Sequence, residues 1–310
     1  MRKTGEEKRR RRRRRRHLKK KARRVILLTI LTITIAAALG VKLYQNANYI
    51  APYGTVEGDD EKEIETLKSD AEHLTYTVLD VGDGEAILIN YEDKEILIDT
   101  GSGDEILKAV DGKIEGYLDY LILTGASDER CGGAAAVFEK YRVGTFITGE
   151  MREKTKDMKT LSYKASEYKT GEDMSIDIGE DVTLFIMKPE VSSDDYRDRS
   201  LITYLSYKDT GFLALSDAGQ EEIARALGSI ASCDVIVLSR HGADDVNLFN
   251  DAKGAAYFLA SCTEDSGFPG ENLKEILAGS MYATYKTGDL IFTSYGDQAE
   301  PSFDSIEEAI

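Results

Sequence analysis

Beyond about residue 73 the chain alternates short apolar runs with polar turns, and the period of that alternation assigns the elements. Apolar and β-branched positions alternate over 74–81, and strands are expected at 85–91 and 94–99, separated by a short polar turn at 92–94 in a hairpin-like arrangement. Residues 117–123, YLDYLIL, make a denser apolar run expected for a buried strand. Helical spacing is expected at 104–110 and at 132–141, where GGAAAVFEKY opens an Ala-rich helix. The second half repeats the alternation. Strands are expected at 145–148, 182–187, 201–207, 211–215, 235–238, 256–260, 282–285 and 290–293, with helices at 220–227 and 272–278. Residues 145–180 are the least patterned, a short strand followed by a polar insert. Strands interleaved with helices on this scale imply an α/β domain, placed at 73–297, with an acidic tail at 298–310.

The first 72 residues follow another rule. Residues 25–41, VILLTILTITIAAALGV, are uncharged and mostly apolar over 17 positions. As a helix they would span roughly 26 Å, and extension to residue 44 completes a bilayer crossing while Lys42 reaches the interface. Ala36, Ala37 and Ala38 also resemble a signal-peptide cleavage site, but the run is long for one. Residues 1–24 carry sixteen basic side chains, including Arg9 to Arg16, against Glu6 and Glu7. A balance of +14 there leaves −30 on residues 25–310, given −16 for all 310 residues. Basic residues confined to one flank place the amino terminus in the cytoplasm and the domain outside. The expected order is a polybasic arm (1–24), a transmembrane signal anchor (25–44), an acidic linker (45–72), then the domain. The arm is expected to attract anionic membrane lipid. A role as a nucleic-acid arm is the other reading, and no aromatic residue interleaves it to stack bases. The acidity of the outer domain disfavours nucleic acid there. Three scattered cysteines, Cys131, Cys233 and Cys262, suit buried thiols better than a disulfide framework.

Candidate chemistry gathers where LILTGASDERCGG (121–133) turns from strand to loop to helix, since a rigid strand aims the side chains of the loop that follows it. This stretch resembles the metal loop of the metallo-β-lactamase fold, T-H-x-H-x-D-H-x-G-G. Gly125, Ser127 and Arg130 stand at its histidine positions, and Glu129 stands at its aspartate. The opening VLDVGDGEAILI…KEILIDTGSG is similar to the metallo-β-lactamase-like domain of ComEC-type competence proteins, L-D-V-G-Q-G-D-A-I-L-I…I-L-I-D-T-G. Asp83 and Glu85 replace two residues of that pattern, and Asp80 and Asp99 are kept. Further on, Ser216-Asp217-Ala218 matches the G-D-A turn, Ser239-Arg240-His241-Gly242-Ala243 matches G-H-H-G-S, and Ser266-Gly267-Phe268-Pro269 matches Y-G-H-P. The resemblance implies a four-layer αβ/βα sandwich over 74–297. It also implies a dinuclear metal cleft lined by Gly125, Ser127, Glu129, Arg130, Asp217, Arg240, His241 and Phe268.

The residues at those positions oppose the implied chemistry. Two zinc ions need several imidazoles plus carboxylates. The chain has three histidines, of which His17 and His73 lie outside the motifs. No metal or other cofactor is therefore expected. If zinc or manganese binds, Glu129, Asp217 and His241 are the ligands left. Arg130 and Arg240 stand where cations repel a divalent ion and are expected instead to neutralise Glu129 and Asp217; solvated loop charges are the plainer alternative. A triad of His241, Asp217 and Ser127, Ser216 or Ser239 lacks the G-x-S-x-G elbow. The expected protein is a non-catalytic binding or assembly module outside the membrane, with an unidentified protein or small-molecule ligand. The alternative is a metal-dependent hydrolase acting on phosphodiesters or other esters.

Overall fold

The computed structural model describes residues 72–303, apart from 171, 191–192 and 244–253. These belong to the compact unit Ala71–Ile310. The expected arm, anchor and linker (1–24, 25–44, 45–72) lie outside the described residues, apart from Glu72. Among the described residues no helix is long and apolar enough to cross a membrane.

Two mixed sheets face one another. The first holds β1 (Leu74–Val78), β2 (Ile87–Tyr91), β3 (Lys94–Ile98), β4 (Tyr117–Leu123), β5 (Arg142–Thr148), β6 (Glu167–Thr170), β14 (Leu290–Ser294) and β15 (Ala299–Pro301). Its order is β15-β14-β1-β2-β3-β4-β5-β6. The second holds β7 (Met174–Gly179), β8 (Val182–Met187), β9 (Ile202–Tyr207), β10 (Thr210–Ala214), β11 (Val235–Val237), β12 (Tyr257–Ala260) and β13 (Met281–Ala283). It runs β13-β12-β11-β10-β9-β8-β7.

The period-2 pattern explains the layering. Ile87, Ile89, Ile96 and Ile98 point between the sheets and meet Leu184, Leu205, Phe212 and Val235. Their strand neighbours Leu88 and Leu97 point outward instead, against α1 (Glu105–Ala109), α3 (Ala134–Lys140) and α4 (Thr155–Ser162). On the other sheet Leu213 and Ile236 face outward, against α5 (Gln220–Ser229) and α6 (Glu271–Ile276). Strands buried on both faces need apolar residues at successive positions, which is what 87–89 and 96–98 supply. The result is a mixed α/β two-sheet sandwich with helices on both outer faces.

Several expectations need correction. The loop after β4 is not free of regular structure, because Asp128–Cys131 forms one helical turn, α2. The expected strand 282–285 ends early, and Thr284–Thr287 turns helical as α7. The expected domain end at 297 falls short: part of the tail pairs as β15 on β14, and Phe303 enters the core between the sheets. In the insert, α4, β6 and β7 are regular elements. The three cysteines are free and buried.

Topology places the site. β3 and β4 run parallel, as do β10, β11 and β12. Their carboxy-terminal ends therefore open on one edge of the sandwich, where the following turns converge. Asp99 follows β3, Asp217 follows β10, the 239–242 turn follows β11, and Ser261 follows β12.

Candidate functional site

At the centre of that edge lies a single guanidinium. Arg130, on α2, is fully buried. Its Nε and Nη2 both donate to Oδ1 of Asp217, at 3.0 and 2.7 Å. Its Nη1 is ion-paired with the carboxylate of Glu85 and lies 3.5 Å from Oδ2 of Asp99. Glu85, Asp99 and Asp217 are themselves buried. Three acids thus surround one cation in a medium where an unpaired charge would cost several kcal/mol.

Local structure holds this cluster from every side. Ser127 sits at the amino-terminal cap of α2 but does not cap it; its hydroxyl donates to Oδ2 of Asp217 at 3.1 Å. The Glu129 carbonyl accepts from the Glu85 N–H, and the Arg130 carbonyl accepts from the Thr100 N–H and hydroxyl. This stitching brings backbones so close that a Cβ on Gly84 would lie 2.7 Å from the Glu129 carbonyl oxygen, and Gly84 has φ +138° besides. Asp99 accepts from the Thr124 N–H and hydroxyl at 2.7 and 2.6 Å.

The charges respond to this setting. Burial pushes the Asp99 carboxyl up to about 7, against the pull of Arg130, and the negative Glu85 adds to the push. Burial also acts on Asp217, but there the charge and hydrogen bonds of Arg130 outweigh it and hold the carboxyl below its ordinary range. For Arg130 the surrounding acids, Asp217 foremost, overcome a large desolvation cost and raise its pKa. Tyr76 is raised by burial and by Glu85. The Tyr76 hydroxyl and the Oε2 atom of Glu85 have no hydrogen-bond partner among the described residues.

The other sequence-derived positions divide. Arg240 has left-handed backbone (φ 50°, ψ 45°) and does not reach the Asp217 carboxylate. Its Nε donates to the Asp217 main-chain oxygen at 3.0 Å, and its Nη2 pairs with Asp198. Glu129 is exposed and outside the cluster, which corrects its expected pairing with an arginine. Glu85 and Asp99 take that part. Gly125 faces Ser200, whose Oγ would lie 2.6 Å from a Cβ at that position. His241, also left-handed (φ 60°), has Nδ1 2.6 Å from the Ser261 carbonyl oxygen. Its ring stands 6.1 Å from that of Phe268. No triad forms, because Ser127 bonds Asp217, the Ser239 hydroxyl donates to the Ala218 carbonyl, and His241 Nδ1 faces a carbonyl.

These donors do not fit a metal ion. Both oxygens of Asp217 are already bonded, one to Arg130 and one to Ser127, and Glu129 is exposed. Among the described residues no three His, Cys, Asp or Glu side chains group in a way that would hold one. The buried cation at this edge is Arg130.

Comparison with solved structures names the architecture. The metallo-β-lactamase fold protein YhfI from Bacillus subtilis superposes over 71% of this chain and 100% of its own, with a TM-score of 0.53 and 10% identity. This chain has the metallo-β-lactamase fold. A diphosphatase from the PhnP family superposes at a TM-score of 0.48 and 15% identity, covering 71% of this chain and 98% of that one. A metal-dependent hydrolase of the β-lactamase superfamily gives 0.49 and 14%, covering 70% and 98%. The superposition on YhfI shows the fold and no activity. No protein-family model and no curated protein matches the sequence.

Of the sequence-derived positions, the structure brings Ser127, Arg130 and Asp217 into one hydrogen-bonded group, and the partners Glu85, Asp198 and Ser200 were not among those positions. Glu85 had a readable signal, an acid at the head of an otherwise apolar run (EAILIN) just after two glycine turns.

Proposed function

We propose that this chain is a non-catalytic metallo-β-lactamase-fold domain that serves as a binding or assembly module, carried outside a membrane by the 25–44 anchor. The observation that carries the reading is Arg130. A fully buried guanidinium engages Asp217, Glu85 and Asp99, so the acids that would attract a divalent ion already share a cation supplied by the chain. A metal ion entering this space would meet a fixed positive charge at its centre, which opposes binding strongly in a dry site. The turn motifs shared with ComEC-type domains are consistent with an extracytoplasmic domain, and the 1–24 arm with attraction to anionic lipid on the other side.

The test uses the full chain in detergent, purified without chelator and offered excess zinc and manganese. Expected are less than stoichiometric metal, melting unchanged by chelator, and no turnover of a phosphodiester such as bis-p-nitrophenyl phosphate. Stoichiometric metal with chelator-sensitive melting and turnover would replace the module by the hydrolase alternative. Glu129, Asp217 and His241 would then be the first residues to substitute.

A further inference from the structure

Each sheet ends in two outer strands, and most of these carry features that discourage a further strand. β7 is bulged between Asp177 and Gly179, β15 ends in Pro301, and β13 is only three residues long. β6 has neither bulge nor proline, and all four of its residues are exposed. Nothing among the described residues pairs with its outer side. The inner side fixes which backbone groups face out. The Ser166 N–H donates to the Val143 carbonyl, and residues alternate along a parallel ladder, so Tyr168 and Thr170 also face β5. The N–H and C=O groups of Glu167 and Lys169 therefore point away from the sheet.

An added strand bonds here only where its own outward groups stand opposite these. When β6 meets β6 of a second copy across a two-fold axis, the strands run antiparallel, and few registers meet that condition. One sets Glu167 against Glu167, and another sets Lys169 against Lys169; like charges directly opposite destabilise. The register centred on Tyr168 sets Glu167 of each copy opposite Lys169 of the other. There the outward-facing residues exchange backbone bonds in both directions at either end. Within one copy Glu167 and Lys169 already share a face and an ion pair of 3.4 Å, so each gains a second counter-charge. The two Tyr168 residues meet at the close, non-hydrogen-bonded position, with Cα atoms about 4.5 Å apart. Each ring is already ordered, 5.4 Å from that of Phe146 and with its hydroxyl 3.1 Å from Thr148 Oγ1.

We infer that β6 is a self-association edge, to which a second copy of this chain adds its own β6 antiparallel, with Tyr168 on the two-fold axis. The charges that shield this edge from an arbitrary strand are the ones that select its own copy. A strand this short makes a small contact, so the dimer is weak and reversible in dilute solution. Two chains anchored in one membrane would meet at a much higher effective concentration. The inference rests on the assembly reading and names its partner.

The test is sedimentation equilibrium of the full chain in density-matched detergent at about 0.15 M salt, where repulsion between distant charges is screened. A reversible monomer–dimer equilibrium is expected. Glu167→Lys and Lys169→Glu each turn both cross-axis pairs into like-charge pairs and should each weaken the dimer about tenfold. The double variant exchanges the charges, restores both pairs and should return to within about threefold of the wild type. Lys164→Glu, exposed but off the strand, should leave the dimer unchanged. Unaltered melting of each variant shows that folded domains are being compared. The pairing is overturned by a chain that stays monomeric at its highest soluble concentration, or by single reversals without effect. A double variant as weak as the single ones, or a Lys164→Glu variant as weak as Lys169→Glu, overturns it too. A monomer without metal or turnover leaves the module reading standing with a different partner. That reading fails only in the metal and turnover assay, so the two failures are told apart.

Discussion

Arg130, on α2 after β4 of the first sheet, and Asp217, in the turn after β10 of the second, lie 87 residues apart, yet the two hydrogen bonds between them share one carboxylate oxygen. The second oxygen is left for Ser127. That arrangement ties the two halves of the sandwich together at the edge where their parallel strands end.

Removing the cation leaves three buried acids without their counter-charge. Arg130→Ala is expected to destabilise the folded domain by about 3–5 kcal/mol, the cost of breaking a buried ion pair. Arg130→Lys keeps the charge but loses the planar fork and should fall between the two. Urea denaturation gives the order; equal stability of Ala and wild type would mean the cluster contributes nothing.

Stability should depend on pH through Asp99. Its folded value of about 7 lies above the ordinary 3.8, so the native state holds the extra proton between those limits. Stability therefore decreases as pH rises through about 7 and is recovered as pH falls toward the ordinary value. Asp217 works in the opposite sense: its lowered carboxyl contributes stability above the ordinary range, which is lost only when pH falls below it. Asp99→Asn should flatten the slope around neutrality and leave the acid limb in place. Melting curves across that range decide it.

Arg240 separates backbone strain from side-chain contact. Arg240→Ala loses the bond to the Asp217 carbonyl and the pair with Asp198, about 1–2 kcal/mol. Arg240→Gly loses the same contacts but relaxes the left-handed backbone, so it should be more stable than the alanine variant by about 1 kcal/mol. An alanine variant at least as stable as the glycine variant would refute the strain.

Gly125 offers a two-residue test of packing. Gly125→Ala drives a methyl to within 2.6 Å of Ser200 Oγ and should cost about 1–3 kcal/mol. That hydroxyl is buried without a hydrogen-bond partner among the described residues, so Ser200→Ala alone should be close to neutral. The double variant should recover most of the loss. A double-mutant cycle showing simple additivity would place the conflict elsewhere.

These relationships show what the sequence could reveal. Hydrophobic patterning exposed the central strands because each has two buried faces of different partners, as at Ile87, Leu88 and Ile89. It failed on β6, whose four residues are all exposed, and on β15, whose three residues sit in a stretch dominated by charge. The spacing of the loop frame aligned Arg130 and Asp217 with a shared cleft. It did not reveal that Glu85 and Asp99, set among glycine turns that look solvated, fold inward onto the same guanidinium. The direction of Arg240 was hidden for another reason: positive φ reorients its side chain toward the 193–200 segment, and single-residue backbone conformation leaves little trace in composition.

The cation at the heart of the acid cluster is part of the polypeptide. An ion-centred site fills to the degree that free ion concentration and its dissociation constant allow. Arg130 arrives with every copy as it is synthesised, at a fixed ratio of one, and has no dissociation rate. On the proposed reading such a fold needs no loading step, and neither scarce nor excess zinc changes its shape.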